Sequence, residues 1–445
     1  MERSCSCQRW CMRWAVQVAV ILLLTFAACG SLGAAGEPEN WPNWRGPALD
    51  GSSPATGLPA EWSRTEGLQW RSQLPGPGNS TPVLWGDRLF LTSVDSETGH
   101  VLAMCVDARN GEILWKRRHG KNRRWGRNDM TSPSPVTDGK RVVFMFGSGE
   151  LVAYEHAGKR LWRRDVKAEF GALSWLFGYG ASPLLHDGRL YVQMMRRPKQ
   201  GAGEPFLLAV DPADGKDLWR QVRDAEAVGE SWESYMTPTV HATESGERIV
   251  LVGADAITGH DPETGRERWR YNYNAARRRN WRMVPTPVSD GERLYTPLPR
   301  GGSLVALKPR EETAALSERR EWVMPRFAPD VCSPLLYRGR LYVLDGNRRV
   351  LTCLDPATGK RIWRGELGRG RTIRSSPTAG DGKIYFIDES GLVYVVAAAD
   401  EFRVLSEIRM GEAPARSSIV IRSGRLYVRT GKALYCIGSR GGERP

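Results

Sequence analysis

An all-β, eight-bladed propeller of four-stranded antiparallel blades is the fold predicted for this chain of 445 residues, and three observations predict it. A unit of turn plus strand recurs along the chain, seen best as Asp355-Pro-Ala-Thr-Gly-Lys-Arg-Ile-Trp363. A Ser/Thr-Pro element recurs between its copies. The last repeat stops one strand short, and a strand able to complete it stands at the start of the array.

The first unit has close copies at Asp261–Trp269, Asp211–Trp219 and Asp107–Trp115, and a shortened one at Glu155–Trp162. Each reads as a tight turn: the leading acid bonds turn amides, Gly takes the positive φ, and the following strand carries a Trp to be buried. Trp70, Trp115, Trp162, Trp219, Trp269 and Trp363 are therefore expected to dock neighbouring blades together.

The second element appears at Thr81-Pro82, Ser134-Pro135, Ser182-Pro183, Thr237-Pro238, Thr286-Pro287, Ser333-Pro334 and Ser376-Pro377, with a degenerate eighth copy at Ser417-Ser418-Ile419. The copies lie about 41 to about 55 residues apart, the period of a four-stranded blade, so eight copies mean eight blades.

Leu68-Gln-Trp70-Arg-Ser-Gln-Leu74 looks like the outer strand of a blade with no earlier strands, whereas the last blade ends after its third. Pairing the two closes the ring and removes both free edges. The propeller is thus expected over residues 67–439, with a disordered tail at 440–445. Residues 37–66, rich in Pro, Gly and Trp, are expected to form an extended strap latched by its indoles. Arg310–Arg320 could form one short surface helix.

Residues 1–35 read as a signal peptide: Arg3, Arg9 and Arg13 precede an apolar run from Ala15 to Ala28, too short to span a bilayer comfortably. Export follows, to the periplasm or outer envelope. Met12-Arg13-Trp14 with that run would make a complete signal by itself, which points to translation starting at Met12. Phe26-Ala27-Ala28-Cys29 resembles a lipobox that would leave Cys29 lipidated and membrane-attached, while cleavage after Gly33-Ala34-Ala35 would release a soluble protein.

Losing the leader lowers the formal charge from +14 to about +12. In an exported protein such charge meets lipid head groups, cell-wall polymers and acidic polysaccharides, and nucleic acid is not expected as a partner. Cys105, Cys353 and Cys436 sit at small core positions of third strands, and no structural disulfide is expected.

Enzyme signatures such as His-Glu-x-x-His, a P-loop, Gly-x-Ser-x-Gly or a Cys-x-x-Cys pair are missing after the leader. The connections that lead from one blade to the next are uneven, and four are long and aromatic. They hold Arg124, Trp125 and Asp129; Trp175 and Tyr179; Glu230, Trp232, Glu233 and Tyr235; and Arg278, Trp281 and Arg282. Exposed Trp with interleaved Arg suits a flat or sugar-like anion, held by stacking and charge-assisted bonds. Packing of these loops on one another as a cap is the alternative. Asp129, Glu230 and Glu233 could hold a cation or act as a base, but their spacing assigns no metal site.

The turns at Leu354–Trp363 and Ala209–Trp219 resemble the tryptophan-docking repeat of the pyrroloquinoline quinone (PQQ) propeller superfamily. The opening Asn40-Trp-Pro-x-Trp44-Arg-Gly-Pro47, with Ser132-Pro-Ser-Pro135 and Tyr179-Gly-x-Ser-Pro183, is similar to exported bacterial PQQ-repeat-like proteins. The superfamily includes periplasmic quinoprotein dehydrogenases, with a Ca²⁺ cage, a catalytic Asp and often a vicinal disulfide, and a non-enzymatic lipoprotein of the outer-membrane assembly machinery. This chain lacks the vicinal disulfide, and their calcium ligands match no motif in it. The resulting expectation is a monomeric, non-catalytic, exported binding or scaffolding protein with no cofactor, engaging a protein or an anionic envelope polymer. The alternative is a PQQ- and Ca²⁺-dependent dehydrogenase of alcohols or sugars.

Overall fold

The computed structural model describes residues 40–438 apart from 127, 172–174, 198–202, 244 and 312–318. The leader with Cys29, the inner part of the Arg310–Arg320 segment and the tail therefore lie outside the described residues. The rest is an eight-bladed propeller of four-stranded antiparallel sheets, each hydrogen-bonded in order from inside to outside. The blades' inner strands begin at Val83, Val136, Leu184, Thr239, Val288, Leu335, Thr378 and Val420. Closure follows the sequence reading: Leu68–Gln73 pairs antiparallel with Ala433–Gly438, placing Trp70 opposite Cys436 and Gln73 opposite Ala433.

The core lies between adjoining blades. Phe90 and Trp115 of blade one, for instance, bury against Val142, Phe144 and Tyr154 of blade two. The repeated turn explains how the blades lock. The indole N–H of Trp70 donates to Ala108 O at 3.0 Å, Trp115 to His156 O at 2.9 Å, Trp162 to Pro212 O at 2.9 Å and Trp219 to Pro262 O at 3.1 Å. Each acceptor directly follows the acid that opens the next blade's turn. That turn's glycine is needed twice, for its backbone and for room. At Gly359 (φ +69°) a Cβ would lie 2.4 Å from the Trp322 ring. Gly359→Ala should therefore cost about 2–3 kcal/mol, read as a shift of the chemical-denaturation midpoint; an unchanged midpoint would show that the ring moves aside freely.

Trp322 is a docking residue that the repeat did not reveal, because no Asp-x-x-x-Gly turn precedes it; its N–H donates to Pro356 O at 2.9 Å. Trp363 completes the set against Ala399 O at 2.8 Å. Trp269 departs from the expectation. Blade five offers no such turn, so this fully buried indole stacks on Tyr271 at 5.2 Å instead, and its N–H has no partner among the described residues. In blade seven Ser406 stands at the corresponding register, and its hydroxyl bonds Ala60 O of the strap.

The Ser/Thr-Pro element forms a girdle round the axis. Among the described bonds, the hydroxyl of every copy but Thr237 accepts the amide proton of the equivalent residue one blade earlier. Thr81 N donates to Ser134 Oγ, and Ser134 N to Ser182 Oγ. Thr237 N donates to Thr286 Oγ1, Thr286 N to Ser333 Oγ and Ser333 N to Ser376 Oγ. Ser376 N bonds Ser418 Oγ, and Ser418 N closes the circle on Thr81 Oγ1 at 3.0 Å. Ser418 thus shows why the eighth, Pro-less copy still works: the hydroxyl matters more than the proline.

Residues 40–62 cross the other end of the axis. Trp41 exchanges backbone bonds with Leu84, Pro42 O accepts Thr137 N, and Asn43 Oδ1 accepts Leu185 N. Arg45, fully buried, then donates to Pro334 O and Pro377 O, both at 2.8 Å, on the far side of the ring. Its lost hydration pulls its pKa down to about 10. The strap thereby ties blades that are remote in sequence.

Two of the six histidines are core groups. His260 Nδ1–H donates to Gly265 O at 3.0 Å, leaving Nε2 to accept from Thr258 Oγ1; His241 Nδ1 bonds Ser289 Oγ at 2.7 Å. Burial lowers both from 6.5 to about 4. Below pH 6.5 the unfolded chain then binds protons that the folded one refuses. Stability is complete above that pH and falls as the pH drops toward 4, by about 2–4 kcal/mol per imidazole at the lower limit. Urea midpoints measured from pH 7.5 to pH 4 should show this decline; a flat profile would exclude these two residues as its source.

Candidate functional site

The four aromatic connections gather at the axial mouth but do not present a row of free indoles. Arg124–Trp125 pairs with Asn128–Asp129 as a small hairpin. Its Trp125 lies on Gly178 of the next loop, where a Cβ would come within 2.4 Å of the ring. Asp129 is spent on structure, accepting from Thr131 N at 2.8 Å and Thr131 Oγ1 at 2.6 Å. Trp175 and Tyr179 turn inward; the first donates to Met195 O at 2.8 Å and the second to Gln193 O at 3.2 Å. Their expected exposure gives way to core burial because both side chains pack among apolar residues of the second and third blades.

The third and fourth loops zip together. Tyr235 N donates to Met283 O at 2.8 Å, Met283 N to Glu233 O at 3.1 Å and Trp281 N to Ser231 Oγ at 2.9 Å. Trp232 is partly buried against Met195, Ala227 and Ala254, and Trp281 stacks on Tyr273, with the Arg278 guanidinium 4.5 Å from the centroid of the Trp281 ring. Glu230 binds Arg300 at 2.6 Å and Arg282 at 3.4 Å. Glu233, wholly enclosed, takes Leu176 N at 3.0 Å, the Tyr235 hydroxyl and an ion pair to Arg197. Burial raises the pKa of both Glu233 and Tyr235, so the phenol keeps its proton and is held as a donor. The cap-like packing of the loops thus prevails for much of the set, while Trp125, Tyr235 and Arg282 reach a common space.

That space is a cavity of about 440 Å³ at the mouth of the axis. Its walls are Trp125, Asn128, Phe177, Arg282 and Asp330. The floor has a simple origin in the repeat: in all eight blades the residue two before the girdle hydroxyl faces the cavity. Asn79, Arg374 and Arg416 are its polar part, Ser132 and Tyr235 follow, and Gly180, Val284 and Val331 leave room. Arg282 meets Asp330 at 3.4 Å and lies over Phe177 at 5.8 Å. Arg416 donates to Asn79 Oδ1 at 3.2 Å and pairs with Glu389 at 2.8 Å.

Arg374, Arg416, Asn79 and Asp330 escaped the sequence reading because they stand on short, unremarkable connections. The signal that would have found Asn79, Arg374 and Arg416 is the fixed offset from the Ser/Thr-Pro element; Asp330 stands one residue before that position and carries no such signal.

Three guanidinia, two amides and three aromatic rings around one cavity suit a planar polyanion, with charge met at its edges and its faces on rings. PQQ, a flat tricarboxylated orthoquinone, has that form. A protein-built calcium cage is another matter: among the described residues no three His, Cys, Asp or Glu converge to hold a metal. Asp330 is the carboxylate of the lining.

Comparison with known proteins bears on the same site. The model of a family described as outer membrane protein assembly factor BamB matches residues 57–175, 99–322 and 300–444. A polyvinylalcohol dehydrogenase of Sphingopyxis sp. (strain 113P3) is 25% identical over 377 residues, 72% of this chain and 49% of that protein. One from Pseudomonas sp. is 23% identical over 274 residues, 52% of this chain and 40% of that protein. The chain thus spans about half or less of the length of the curated relatives it matches. A europium-containing methanol dehydrogenase shares the fold with a TM-score of 0.66 at 13% identity, over 90% of this chain and 91% of that one. For the quinohemoprotein alcohol dehydrogenase of Comamonas testosteroni the TM-score is 0.63 at 12% identity, over 93% and 83%. BamB from Moraxella catarrhalis gives 0.52 at 14% identity, over 76% and 94%.

Two expectations are corrected by these findings. The non-catalytic scaffold gives way, since both curated relatives are named as dehydrogenases. The expectation of no cofactor gives way with it, since the similar solved structures include quinohemoprotein dehydrogenases. The physical reason is plain: the charged floor that a cofactor would use comes from eight separate repeats and has no local motif.

Proposed function

The chain belongs to the PQQ-repeat family described as outer membrane protein assembly factor BamB, and from that premise we propose that it is an exported PQQ-dependent dehydrogenase oxidising an alcohol or sugar hydroxyl. The observation that carries this reading is the mouth cavity, in which Arg282, Arg374 and Arg416 face a space walled by Trp125, Phe177 and Tyr235. The dehydrogenase names of the curated relatives support it. The family's description agrees with export, and lipid attachment at Cys29 remains part of the proposal.

Bound in this cavity, the orthoquinone would supply a two-electron acceptor. The chain's own residues do the rest. Arg282, Arg374 and Arg416 hold carboxylates at the rim and floor. The rings of Trp125 and Phe177 flank a flat ligand and exclude water from it. Tyr235, whose hydroxyl proton goes to Glu233 and whose oxygen accepts Phe177 N, is thereby fixed in place at the cavity wall. Asp330 is the lining carboxylate placed to take the substrate's hydroxyl proton on an Oδ atom, with Arg282 stabilising its charge.

Titrating the purified protein with PQQ, with and without Ca²⁺, should quench tryptophan fluorescence at one equivalent, and the loaded protein should reduce an artificial dye with alcohols. No saturable quenching at any cofactor concentration would end this reading. Quenching without dye reduction, across small alcohols, sugars and polyvinyl alcohol, would leave a binding protein and refute the dehydrogenase.

A further inference from the structure

The rim of the mouth carries an apolar tip beside a run of cations. Among the described residues four large apolar side chains are exposed, and two of them stand together here, Leu176 (52%) and Phe177 (36%). Their backbone is held in place. Leu176 N donates to Glu233 Oε1 at 3.0 Å, Phe177 N donates to the Tyr235 hydroxyl at 3.3 Å, and Phe177 O accepts Asn128 Nδ2 at 3.2 Å. A segment fixed in this way holds its apolar side chains out in water. We propose that this rim is a docking surface for an anionic lipid bilayer.

The charges adjoin the tip. The Trp125 ring lies on Gly178, so the hairpin of Arg124–Trp125 with Asn128–Asp129 packs against the loop that bears Leu176 and Phe177. Between Glu112 and Asp129 the sequence has seven Lys and Arg and no acid. Arg118, Lys121, Arg123 and Arg124 are exposed. The buried acids of the region are already engaged: Asp129 by Thr131, and Glu150 by His119 at 2.9 Å and Arg163 at 2.6 Å. Lys121 donates to Thr98 O of the adjoining turn, whose Asp95 and Glu97 leave four cations against two acids.

Cations alone would suit any polyanion, and the apolar tip selects among them. A bilayer interface places acyl chains beneath a layer of phosphates. Leu176 and Phe177 would leave water there while the guanidinia meet phosphates, with the Trp125 indole at the boundary. A hydrated acidic polymer offers charge without apolar depth. The contact needs no acyl chain at Cys29, and it does not rest on the quinone reading.

The test uses the exported protein with Cys29→Ser, so that no lipid anchors it, and without PQQ. It should sediment with vesicles of phosphatidylcholine and phosphatidylglycerol, mixed about two to one, and stay in solution with phosphatidylcholine alone. The triple variant Arg118→Gln, Arg123→Gln, Arg124→Gln should weaken this partitioning about 100-fold, roughly fivefold for each cation. Leu176→Ser should weaken it about tenfold. Circular dichroism checks that both variants fold, and hydrogen exchange in the unaltered surface gives the place: anionic vesicles should slow exchange across 120–126 and 175–178. Equal binding to neutral vesicles, no binding, or protection confined to another face overturns the proposal. So does a loss in only one of the two variants; a loss in the arginine triple alone would mark a site for an acidic polymer instead of a bilayer.

Discussion

Arg429→Met should destabilise the folded protein by about 3 kcal/mol, with the loss concentrated where the ring closes. Arg429 belongs to the last blade and is fully buried, yet it donates to Ser80 O at 2.7 Å, Ser80 Oγ at 2.8 Å and Thr92 O at 2.6 Å of the first blade. Burying the guanidinium is costly, as the fall of its pKa to about 10 shows. Three charge-assisted bonds, at about 1.5–3 kcal/mol each, outweigh that cost. Methionine fills the volume but takes the guanidinium donor from Thr92 O and leaves Ser80 O with the Ser417 hydroxyl. Denaturation midpoints give the size of the effect, and faster hydrogen exchange along Leu68–Gln73 gives its place. A loss below about 1 kcal/mol would mean that strand pairing alone holds the closure.

The second large effect belongs to the cavity floor. Arg374→Gln and Arg416→Gln should each weaken PQQ binding by about 10- to 100-fold, the worth of a charge-assisted bond to a carboxylate, and the double variant by more. Both side chains line the cavity rather than the interblade core, so circular dichroism should stay unchanged while the fluorescence titration shifts. Unaltered affinity in the double variant would place the quinone elsewhere or nowhere. Glutamine keeps a polar amide but is shorter and uncharged, so the comparison reads loss of the guanidinium as a whole.

These expectations differ in how far they could be read from the chain. The seam is legible: a Trp-bearing strand with no antecedent at one end and a blade without a fourth strand at the other imply each other, and Trp70 does lie opposite Cys436. Arg429, which locks that seam, carries no signal beyond being a basic residue at the end of an apolar strand. In the aromatic loops, Trp125, Tyr235 and Arg282 reach the cavity as their positions suggest, but Trp175, Trp232 and Trp281 are consumed in packing. Alternation and loop length cannot tell an indole that faces a ligand from one that faces its neighbour.

What the sequence by itself determined is the number of blades, five of their docking tryptophans and the pairing of the two ends. Each blade folds from contiguous residues, so its turn glycine, its indole and its Ser/Thr-Pro hydroxyl recur at readable spacing. Only the tertiary structure decided which side chains meet. Trp269 lost its docking role because the following blade lacks the turn that would receive it, and Asn79, Arg374 and Arg416 became a cavity floor because the ring turns one position of every repeat toward the same axis. A site made of single residues from eight separate blades has no local pattern; it exists only once the circle is closed.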